Sequence, residues 1–273
     1  MQTWLITGCS SGFGKSIAKA VLERGWNAVV TARNPEDIRE FEVLYPDNAL
    51  TISLDVTDEK AADHAVQAAL ERFGVIDVLV NNAGYGYRAA VEEGNFSDVN
   101  RLFATNFWGP VSLIQKVLPG MRKRHTGAIV NFSSIAAIRA EPGSGYYAAS
   151  KSALESVSEA LFREVMPLGI RVMIVEPGGF STDFFGRSLT QSEKELSDYA
   201  ETAGKRRIGR EAIDRSVLGS TDKGALQIIE ALAVPNPPLR LLLSTQAVEF
   251  AKENLSGRLK EAQEWADLSS RSR

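Results

Sequence analysis

The chain has 273 residues, of which 44% are hydrophobic and 24% charged, with a formal net charge of −3. These values fit one soluble domain with a full core and give no reason to expect nucleic acid or another polyanion as a partner. No apolar stretch reaches the roughly 18 residues that span a bilayer. The first predicted strand begins close to Met1, which leaves no room for a signal peptide, so we expect a cytoplasmic protein with no membrane partner.

Cysteine and histidine are too few for a disulfide or a metal site. Cys9 is the only cysteine, so it has no partner for an internal disulfide. The two histidines, His64 and His125, lie far apart in polar, helix-like surroundings. We expect both to be solvated and no metal to bind.

Short apolar, β-branched runs alternate with longer amphipathic stretches along the chain. The predicted strands are Thr3–Thr7, Ala28–Ala32, Leu50–Leu54, Val75–Val80, Ala128–Phe132, Arg171–Val175 and Leu239–Leu243, and the helical stretches include Gly14–Arg24, Asp58–Phe73 and Tyr146–Met166. Continuously apolar strands that alternate with helices favour a parallel sheet covered on both faces. The pattern predicts a Rossmann-type, doubly wound parallel sheet of about seven strands, in one three-layer α/β/α domain over residues 1–273.

One segment, at about 182–220, differs in composition from the rest of the chain. It is rich in Ser, Glu, Lys and Arg, contains no predicted strand and follows Pro177-Gly178-Gly179. It is either a solvated insertion or a lid over a crevice at the carboxyl ends of the strands, where open α/β sheets bind ligands. We favour the lid, because no other segment supplies a wall for a substrate.

The turn after the first strand, Thr7–Gly14, is rich in glycine and opens a helix. Glycines at 8, 12 and 14 allow a tight turn and a close approach of the backbone to a pyrophosphate, with the helix N-terminus facing it. A glycine-rich turn alone is a weak signal, since it also occurs as a plain strand-to-helix connection. Its position between the first strand and the first helix predicts a dinucleotide site.

The residue after the second strand indicates which dinucleotide binds. Arg33 stands where an acidic residue would bind the ribose 2′-hydroxyl of NAD, and an arginine there accommodates the 2′-phosphate of NADP. Glu36 and Asp37 follow Pro35 and are typical of a first helical turn. We therefore expect NADP(H), with a solvent-exposed arginine as the alternative.

Polar residues also end the third and fourth strands. Asp55-Val56-Thr57 closes the third strand, and its alternative role is to cap the next helix through Thr57. Asn81-Asn-Ala-Gly84 closes the fourth strand at the edge where ligands bind, although its asparagines could equally tie backbone groups together.

The stretch Tyr147-Ala-Ala-Ser-Lys151 predicts proton transfer. A phenol and an ammonium four residues apart share one face of a helix. A phenol with a pKa of about 10 is a poor acid or base at neutral pH, and a neighbouring cation lowers that pKa. Ser133-Ser134, after the fifth predicted strand, could supply a hydroxyl that holds the oxygen receiving the proton.

Taken together, these motifs resemble the short-chain dehydrogenase/reductase family, in its single-domain branch. The resemblance covers essentially the whole chain, and the motifs occur in the order and spacing of that family. Finer features, such as Thr7-Gly-Cys-Ser-Ser and Glu176-Pro-Gly-Gly, resemble its 17β-hydroxysteroid dehydrogenase-like subgroup. The residues that carry the resemblance are the Thr7–Gly14 turn, Asp55-Val56, Asn81–Gly84, Asn106, Ser134, Tyr147, Lys151, Pro177-Gly178 and Thr182.

The resemblance implies four catalytic residues. Tyr147 would be the general acid in reduction and the general base in oxidation, and Lys151 would lower its pKa and hold the nicotinamide ribose. Ser134 would orient the carbonyl, with Ser133 as the alternative on the opposite side of the chain. Asn106 would hold a water that passes protons to Lys151; its alternative role is that of a helix-kink residue.

The resemblance also implies an NADP(H) site, in which Pro177, Gly178, Phe180 and Thr182 hold the nicotinamide end, although Phe180 could instead pack in the core. The residues expected to bind the cofactor are Gly8, Ser10, Ser11, Gly12, Phe13, Gly14, Arg33, Asp55, Val56, Asn82, Ala83, Gly84, Tyr147, Lys151, Pro177, Gly178, Phe180 and Thr182.

The expected function is interconversion of a ketone or aldehyde and an alcohol by hydride transfer. Two alternatives are a nucleotide-sugar epimerase or dehydratase, for which the about ninety residues after Pro177 are short, and a non-catalytic NADP sensor. Aromatic residues predict an apolar carbonyl substrate, although any of them could be core: Tyr85, Tyr87, Phe180, Phe184, Phe185 and Tyr199.

The resemblance further implies a homodimer or homotetramer. The helices at 98–123 and 146–166 carry apolar residues at helical spacing, which could form the interface or simply pack on the sheet. A third apolar stripe, from Val248 to Ala266, is expected to close the core rather than to bind a partner.

Overall fold

The computed structural model describes residues 1–180, 188–209 and 218–272. Thr182, predicted to hold the cofactor, lies outside these ranges, as do Phe184 and Phe185 of the predicted substrate wall. None of the helices in the described ranges is long and apolar enough to cross a membrane.

A parallel sheet of seven strands forms the centre of the described chain, as predicted. The strands are β1 (Thr3–Ile6), β2 (Asn27–Ala32), β3 (Ala49–Ser53), β4 (Val78–Asn81), β6 (Gly127–Phe132), β7 (Ile170–Pro177) and β9 (Arg240–Leu243), within three residues of the predicted bounds. Their order is β3-β2-β1-β4-β6-β7-β9, and every neighbouring pair is parallel. The order reverses between β1 and β4, and this topological switch point places the crevice at their carboxyl ends.

Helices cover both faces of the sheet. They are α1 (Gly12–Leu22), α2 (Glu40–Leu44), α3 (Glu59–Phe73), α4 (Phe96–Phe103), α5 (Gly109–Arg124), α6 (Gly145–Val165), α7 (Thr221–Ala233), α8 (Thr245–Glu264) and α9 (Ala266–Ser269). Asp58, and not Thr57 as the alternative for that motif proposed, caps α3 by accepting from the N–H groups of Lys60 and Ala61. Gly74 ends the same helix in the left-handed conformation.

Alternation of side chains along each strand divides the core into two halves. Trp4 and Ile6 of β1 pack with residues of α1 and α7 on one face of the sheet, and Leu5 packs with residues of α3 and α5 on the other. Because both faces are covered, the strands are continuously apolar, which is the pattern that identified them.

The prediction that the 182–220 segment contains no strand was wrong. Its described part includes β8 (Leu189–Gln191), which pairs in parallel with β5 (Gly86–Arg88), after β4. The paired stretches are three residues long and largely polar, so they carry no apolar period that a sequence pattern could detect.

The helix predicted over 98–123 is interrupted in the structure. A π-helical turn, Ala104–Trp108, separates α4 from α5. A π turn inserts one extra residue and changes the spacing of apolar residues only slightly. The apolar period therefore predicts one uninterrupted helix. Apolar residues of the helices that were considered for oligomer contacts, such as Ile114, Val117 and Leu161, are buried in the chain's own core.

The apolar stripe of the C-terminal tail does not close the core as expected. Ala251 is buried, but Leu255 and Leu259 are 53% and 61% exposed. The period of the stripe predicts a helix with an apolar face, and α8 has one; a period cannot show whether the chain folds back far enough to cover that face.

A buried ion pair ties the described part of the 182–220 segment to the body of the fold. Arg207 Nη2 lies 3.2 Å from Glu93 Oε2, and the two side chains are 6% and 2% exposed. Arg207 also donates to the Ser192 carbonyl at 2.9 Å, and Glu93 accepts from the N–H of Leu196 at 2.9 Å. Burial opposes ionisation of Glu93, but the backbone N–H groups of Leu196 and Ala90 and the Arg207 guanidinium hold the pKa of its carboxyl below the usual value.

Replacement of Arg207 by Met should lower the free energy of unfolding by about 3 kcal/mol, because Glu93 is left buried without its cation. Urea denaturation followed by tryptophan fluorescence measures this. Lys205→Met removes one partner of an exposed ion pair with Glu201 and is the matched control, with an expected cost below about 1 kcal/mol. If the two replacements lowered the free energy of unfolding equally, the buried Arg207–Glu93 pair would not be what stabilises the segment.

Candidate active site

A crevice of about 1340 Å³ opens at the carboxyl ends of the strands. Gly14 and Asn106 lie behind its surface, and Thr182 lies outside the described residues. The other predicted site residues line the crevice: Gly8, Ser10, Ser11, Gly12, Phe13, Arg33, Asp55, Val56, Asn82, Ala83, Gly84, Ser134, Tyr147, Lys151, Pro177, Gly178 and Phe180.

The glycine-rich turn depends on the absence of side chains. Gly8 and Gly12 have φ of 72° and 58°, which L side chains rarely adopt. A Cβ on Gly14 would lie 2.3 Å from the Gly8 carbonyl oxygen, so α1 could not begin so close to β1. Asn82 donates to the Thr7 and Gly8 carbonyl oxygens at 2.8 and 3.0 Å, and thus ties the turn to the end of β4.

The N-terminus of α1 suits an anion. Ser11 precedes the helix in an extended conformation, its side chain makes no capping hydrogen bond, and the first turn contains no acidic residue. The first N–H groups of the helix and its positive dipole end are therefore available to a phosphate. This cradle fits the pyrophosphate of a dinucleotide.

The adenosine end of the predicted cofactor site lies at β2 and β3. Arg33 is exposed and lines the crevice, whereas Glu36 and Asp37 occupy the first turn of a 3₁₀ helix that is capped by Asn34. Asp55 accepts from the N–H and hydroxyl of Thr57 at 2.9 and 2.7 Å. A guanidinium thus lines the crevice at the end of β2, and its contact with a 2′-phosphate stays a prediction.

Tyr147, on α6, is buried beside Ser134. Burial raises the pKa of its phenol to about 12, and this effect outweighs the hydrogen bond with Ser134 and the charge of Arg88, which both lower the pKa. The net shift of the phenol pKa is upward in this structure, so the phenol keeps its proton at neutral pH. The expected effect of Lys151 on that pKa stays a prediction.

Lys151 lies one turn along α6 and is 5% exposed. Its Nζ donates to the Phe132 carbonyl oxygen at 2.7 Å and lies 6.0 Å from the centre of the Tyr147 ring. Burial lowers the pKa of this amine to about 8, opposed by the charge of Glu155. Gly84 permits the approach, because a Cβ there would lie 3.3 Å from Nζ.

Asn106 is fully buried in the π turn. Its side chain accepts from the Tyr85 N–H at 3.1 Å and donates to the Tyr85 carbonyl and the Ser150 hydroxyl at 2.9 and 3.1 Å. Asn106 thus joins the π turn to the segment after β4 and to α6. This is a bridging role within the backbone, and its water-holding role stays a prediction.

The two serines after β6 both line the crevice, but their hydroxyls have different partners. The Ser134 side chain is partly exposed and accepts from the Ala136 N–H at 3.1 Å, whereas Ser133 is buried and its hydroxyl donates to Glu155 Oε1 at 2.5 Å. Ser134 is thus more open to the crevice than Ser133, and its contact with a substrate stays a prediction.

Aromatic residues divide between the crevice and the core. Phe180 belongs to both places: it lines the crevice, and the centre of its ring lies 4.8 Å from that of Phe13, which also lines the crevice. Tyr87 is 1% exposed and packs with Tyr146, and Tyr199 donates to Glu92 at 2.7 Å outside the crevice. The prediction that Tyr87 and Tyr199 line an apolar substrate pocket is therefore wrong.

Sequence reasoning missed the polar wall of the crevice. Arg88 is buried at the crevice, close enough to Tyr147 to lower the pKa of the phenol, and its guanidinium donates to Ser144. Ser192 and Glu93 belong to the same wall, where the Ser192 N–H donates to the Arg88 carbonyl oxygen at 3.0 Å. The sequence has charged residues after the fourth strand, but charged residues at such a position are equally typical of an exposed loop.

Cysteine and histidine take no part in the site. Cys9 is buried under the turn, donates to the Ile6 carbonyl and has a pKa raised to about 12 by burial. His64 and His125 are exposed. Within the described ranges, no group of three or more His, Cys, Asp or Glu side chains is placed to hold a metal ion.

Comparisons with known proteins agree with this geometry. The family model described as short chain dehydrogenase matches residues 2–193. A 3-ketodihydrosphingosine reductase of Bacteroides thetaiotaomicron is 38% identical, over 88% of this chain and 86% of its own. The motif-based likeness to the 17β-hydroxysteroid dehydrogenase-like subgroup stays a prediction.

Two solved structures share the fold over most of their length. A short-chain dehydrogenase from Streptomyces avermitilis superimposes with a TM-score of 0.92 at 40% identity, over 100% of this chain and 98% of that one. ElxO with NADP bound has a TM-score of 0.75 at 27% identity, over 91% of this chain and 99% of that one.

Gly14→Ala should weaken NADPH binding by more than about tenfold, or about 1.4 kcal/mol, because the backbone of the turn must move to admit the methyl group. Fluorescence titration with NADPH measures this. Gly257→Ala is the control, since its Cβ meets no atom within 4 Å on an exposed helix, and it should leave binding unchanged. Unaltered affinity in Gly14→Ala would exclude the cradle as the pyrophosphate site.

Proposed function

Because the chain belongs to the short-chain dehydrogenase family, we propose that this oxidoreductase interconverts a ketone or aldehyde and an alcohol with NADP(H). The observation that carries the proposal is the convergence of Ser134, Tyr147 and Lys151 on one wall of the crevice, beside the glycine-rich turn. A pure binding protein has no need of a buried phenol and a buried ammonium at the same place.

The residues of the site have distinct tasks in this proposal. NADPH, when bound, supplies the hydride. Ser134 and Tyr147 hold the carbonyl oxygen, and Tyr147 donates a proton to that oxygen as negative charge develops on it. Burial raises the pKa of the phenol and so keeps it protonated at neutral pH. The ammonium of Lys151 favours the phenolate that forms.

NADP(H) is preferred over NAD(H) in this proposal because of Arg33. Its exposed guanidinium lines the crevice at the end of β2, and the nearby carboxylates, Glu36 and Asp37, belong to the following 3₁₀ turn. A guanidinium binds a phosphate bidentately, whereas a 2′-hydroxyl requires an acceptor. The NADP complex of ElxO is in line with this preference.

The substrate is proposed to be a carbonyl compound, apolar apart from polar groups near the carbonyl. The crevice exceeds the roughly 300–1000 Å³ of common ligand pockets, which leaves room beside a dinucleotide. Arg88, Glu93 and Ser192 make its described wall more polar than the sequence predicted. The related reductase of Bacteroides thetaiotaomicron is named for the reduction of 3-ketodihydrosphingosine.

The two alternatives remain distinguishable by turnover. An epimerase or dehydratase would convert sugar nucleotides, and a sensor would bind NADPH tightly and reduce no carbonyl. A homodimer or homotetramer remains the expected assembly from the family resemblance.

Tyr147→Phe should lower kcat for carbonyl reduction by at least about 10²-fold, because the proton donor is lost. The assay follows NADPH oxidation across ketones and aldehydes, with NADPH affinity measured in parallel. Tyr146→Phe, on the adjacent residue that donates to the Val91 carbonyl, is the control and should keep its activity. Near-normal turnover by Tyr147→Phe would remove Tyr147 from the chemistry.

Arg33→Ala should lower kcat/KM with NADPH by about 10- to 100-fold through loss of a charge-assisted hydrogen bond, and leave NADH turnover unchanged. Arg39→Ala removes an exposed arginine of the same segment, paired with Glu36, and should change neither. A wild-type preference for NADH would overturn the role of Arg33 and leave that of Tyr147 standing.

A further inference from the structure

A cluster of charged side chains lies directly behind the catalytic wall. Arg240 of β9 contacts Glu155 of α6 at 3.4 Å and Glu176 of β7 at 3.2 Å. Glu159, one turn further along α6, lies 3.5 Å from the same guanidinium. Glu155 and Glu176 are buried, at 8% and 2% exposure.

The cluster contains three carboxyl groups and one guanidinium group. Burial, and then the charge of Glu155, raise the pKa of Glu176 to about 7, with Arg240 opposing them. Burial also raises the pKa of Glu155, against the Ser133 hydrogen bond and the charge of Arg240. A single buried salt bridge with Arg240 would need only one carboxylate. The second buried carboxyl group therefore points to a further role for one of the two.

Glu155 is the member of the cluster that reaches the catalytic residues. It follows Lys151 by four residues on α6, hence on the same helix face, and its charge raises the pKa of that amine against the effect of burial. Its Oε1 also accepts from the Ser133 hydroxyl at 2.5 Å. Ser133 lies between Phe132, whose carbonyl binds Lys151, and Ser134.

We propose that Glu155 is a positioning residue: its charge keeps Lys151 as an ammonium, and its hydrogen bond to Ser133 fixes the end of β6 that presents Ser134. Arg240 of β9 contacts the Glu155 carboxylate and is itself held by Glu176 of β7. The effect on turnover rests on the proposed function, whereas the effect on Lys151 does not.

The first test is the titration of Lys151 itself. The rate of its reductive methylation, read by peptide mass spectrometry from pH 6 to 10, gives the midpoint of the amine without any turnover. Glu155→Gln should lower that midpoint by about one pH unit, since a neighbouring opposite charge is lost. Glu159→Gln is the matched control on the same helix and should leave it unchanged. A midpoint in Glu155→Gln equal to that of the wild type would overturn the charge role.

The second test separates charge from hydrogen bonding. Ser133→Ala should lower kcat with the Lys151 midpoint unchanged, whereas Glu155→Gln should also move the alkaline limb of kcat/KM for carbonyl reduction to lower pH. Glu155→Asp retains the charge but is too short to reach the Ser133 hydroxyl. Like Ser133→Ala, it should therefore lower kcat and leave the Lys151 midpoint unchanged. This variant tests the proposal even if Glu155→Gln does not fold. A lowered midpoint in Glu155→Asp or Ser133→Ala would contradict the proposal.

The two hypotheses fail in different ways. If the wild-type protein reduces no carbonyl, the proposed function falls, and the Lys151 titration still decides the role of Glu155. If the wild type is active and Glu155→Gln matches Glu159→Gln in both midpoint and kcat, the proposed function stands and this inference falls.

Discussion

The proposed role of Lys151 requires its ammonium group to stay charged where the side chain is 5% exposed, and burial lowers its pKa to about 8. Desolvation of an ammonium is costly unless oxygen atoms replace the lost water. The Phe132 carbonyl at 2.7 Å supplies one such oxygen, and the charge of Glu155 supplies long-range support. Much of the local backbone serves this requirement, including the end of β6 and the course of α6.

The same requirement explains two backbone features on the other side of the lysine. Gly84 lacks the Cβ that would lie 3.3 Å from Lys151 Nζ and 3.0 Å from Asn106 Oδ1. The π turn places Asn106 inward, where it binds both backbone groups of Tyr85. The segment after β4 is thereby held against α6, so the site is built from secondary-structure ends rather than from free loops.

Most of the fold and the proximity of Tyr147 and Lys151 were predictable, for a physical reason. Strands buried on both faces are continuously apolar, and helix spacing alone brings Tyr147 and Lys151 together. Features set by tertiary contact were not: the β5–β8 pairing, the exposed face of α8 at Leu255, and the burial that raises the pKa of Tyr147.

The two halves of the crevice are held by different kinds of interaction. The half that fits a dinucleotide is made of backbone: positive-φ glycines, a helix N-terminus and an asparagine that binds main-chain carbonyls. The other wall is attached by the short β5–β8 pairing and by side chains, among them the buried pair of Glu93 and Arg207. Backbone constraints leave glycine and asparagine signatures in a sequence, whereas one ion pair between distant segments leaves none. For this reason the cofactor class follows from the sequence, and the substrate must be sought in the contacts of the wall.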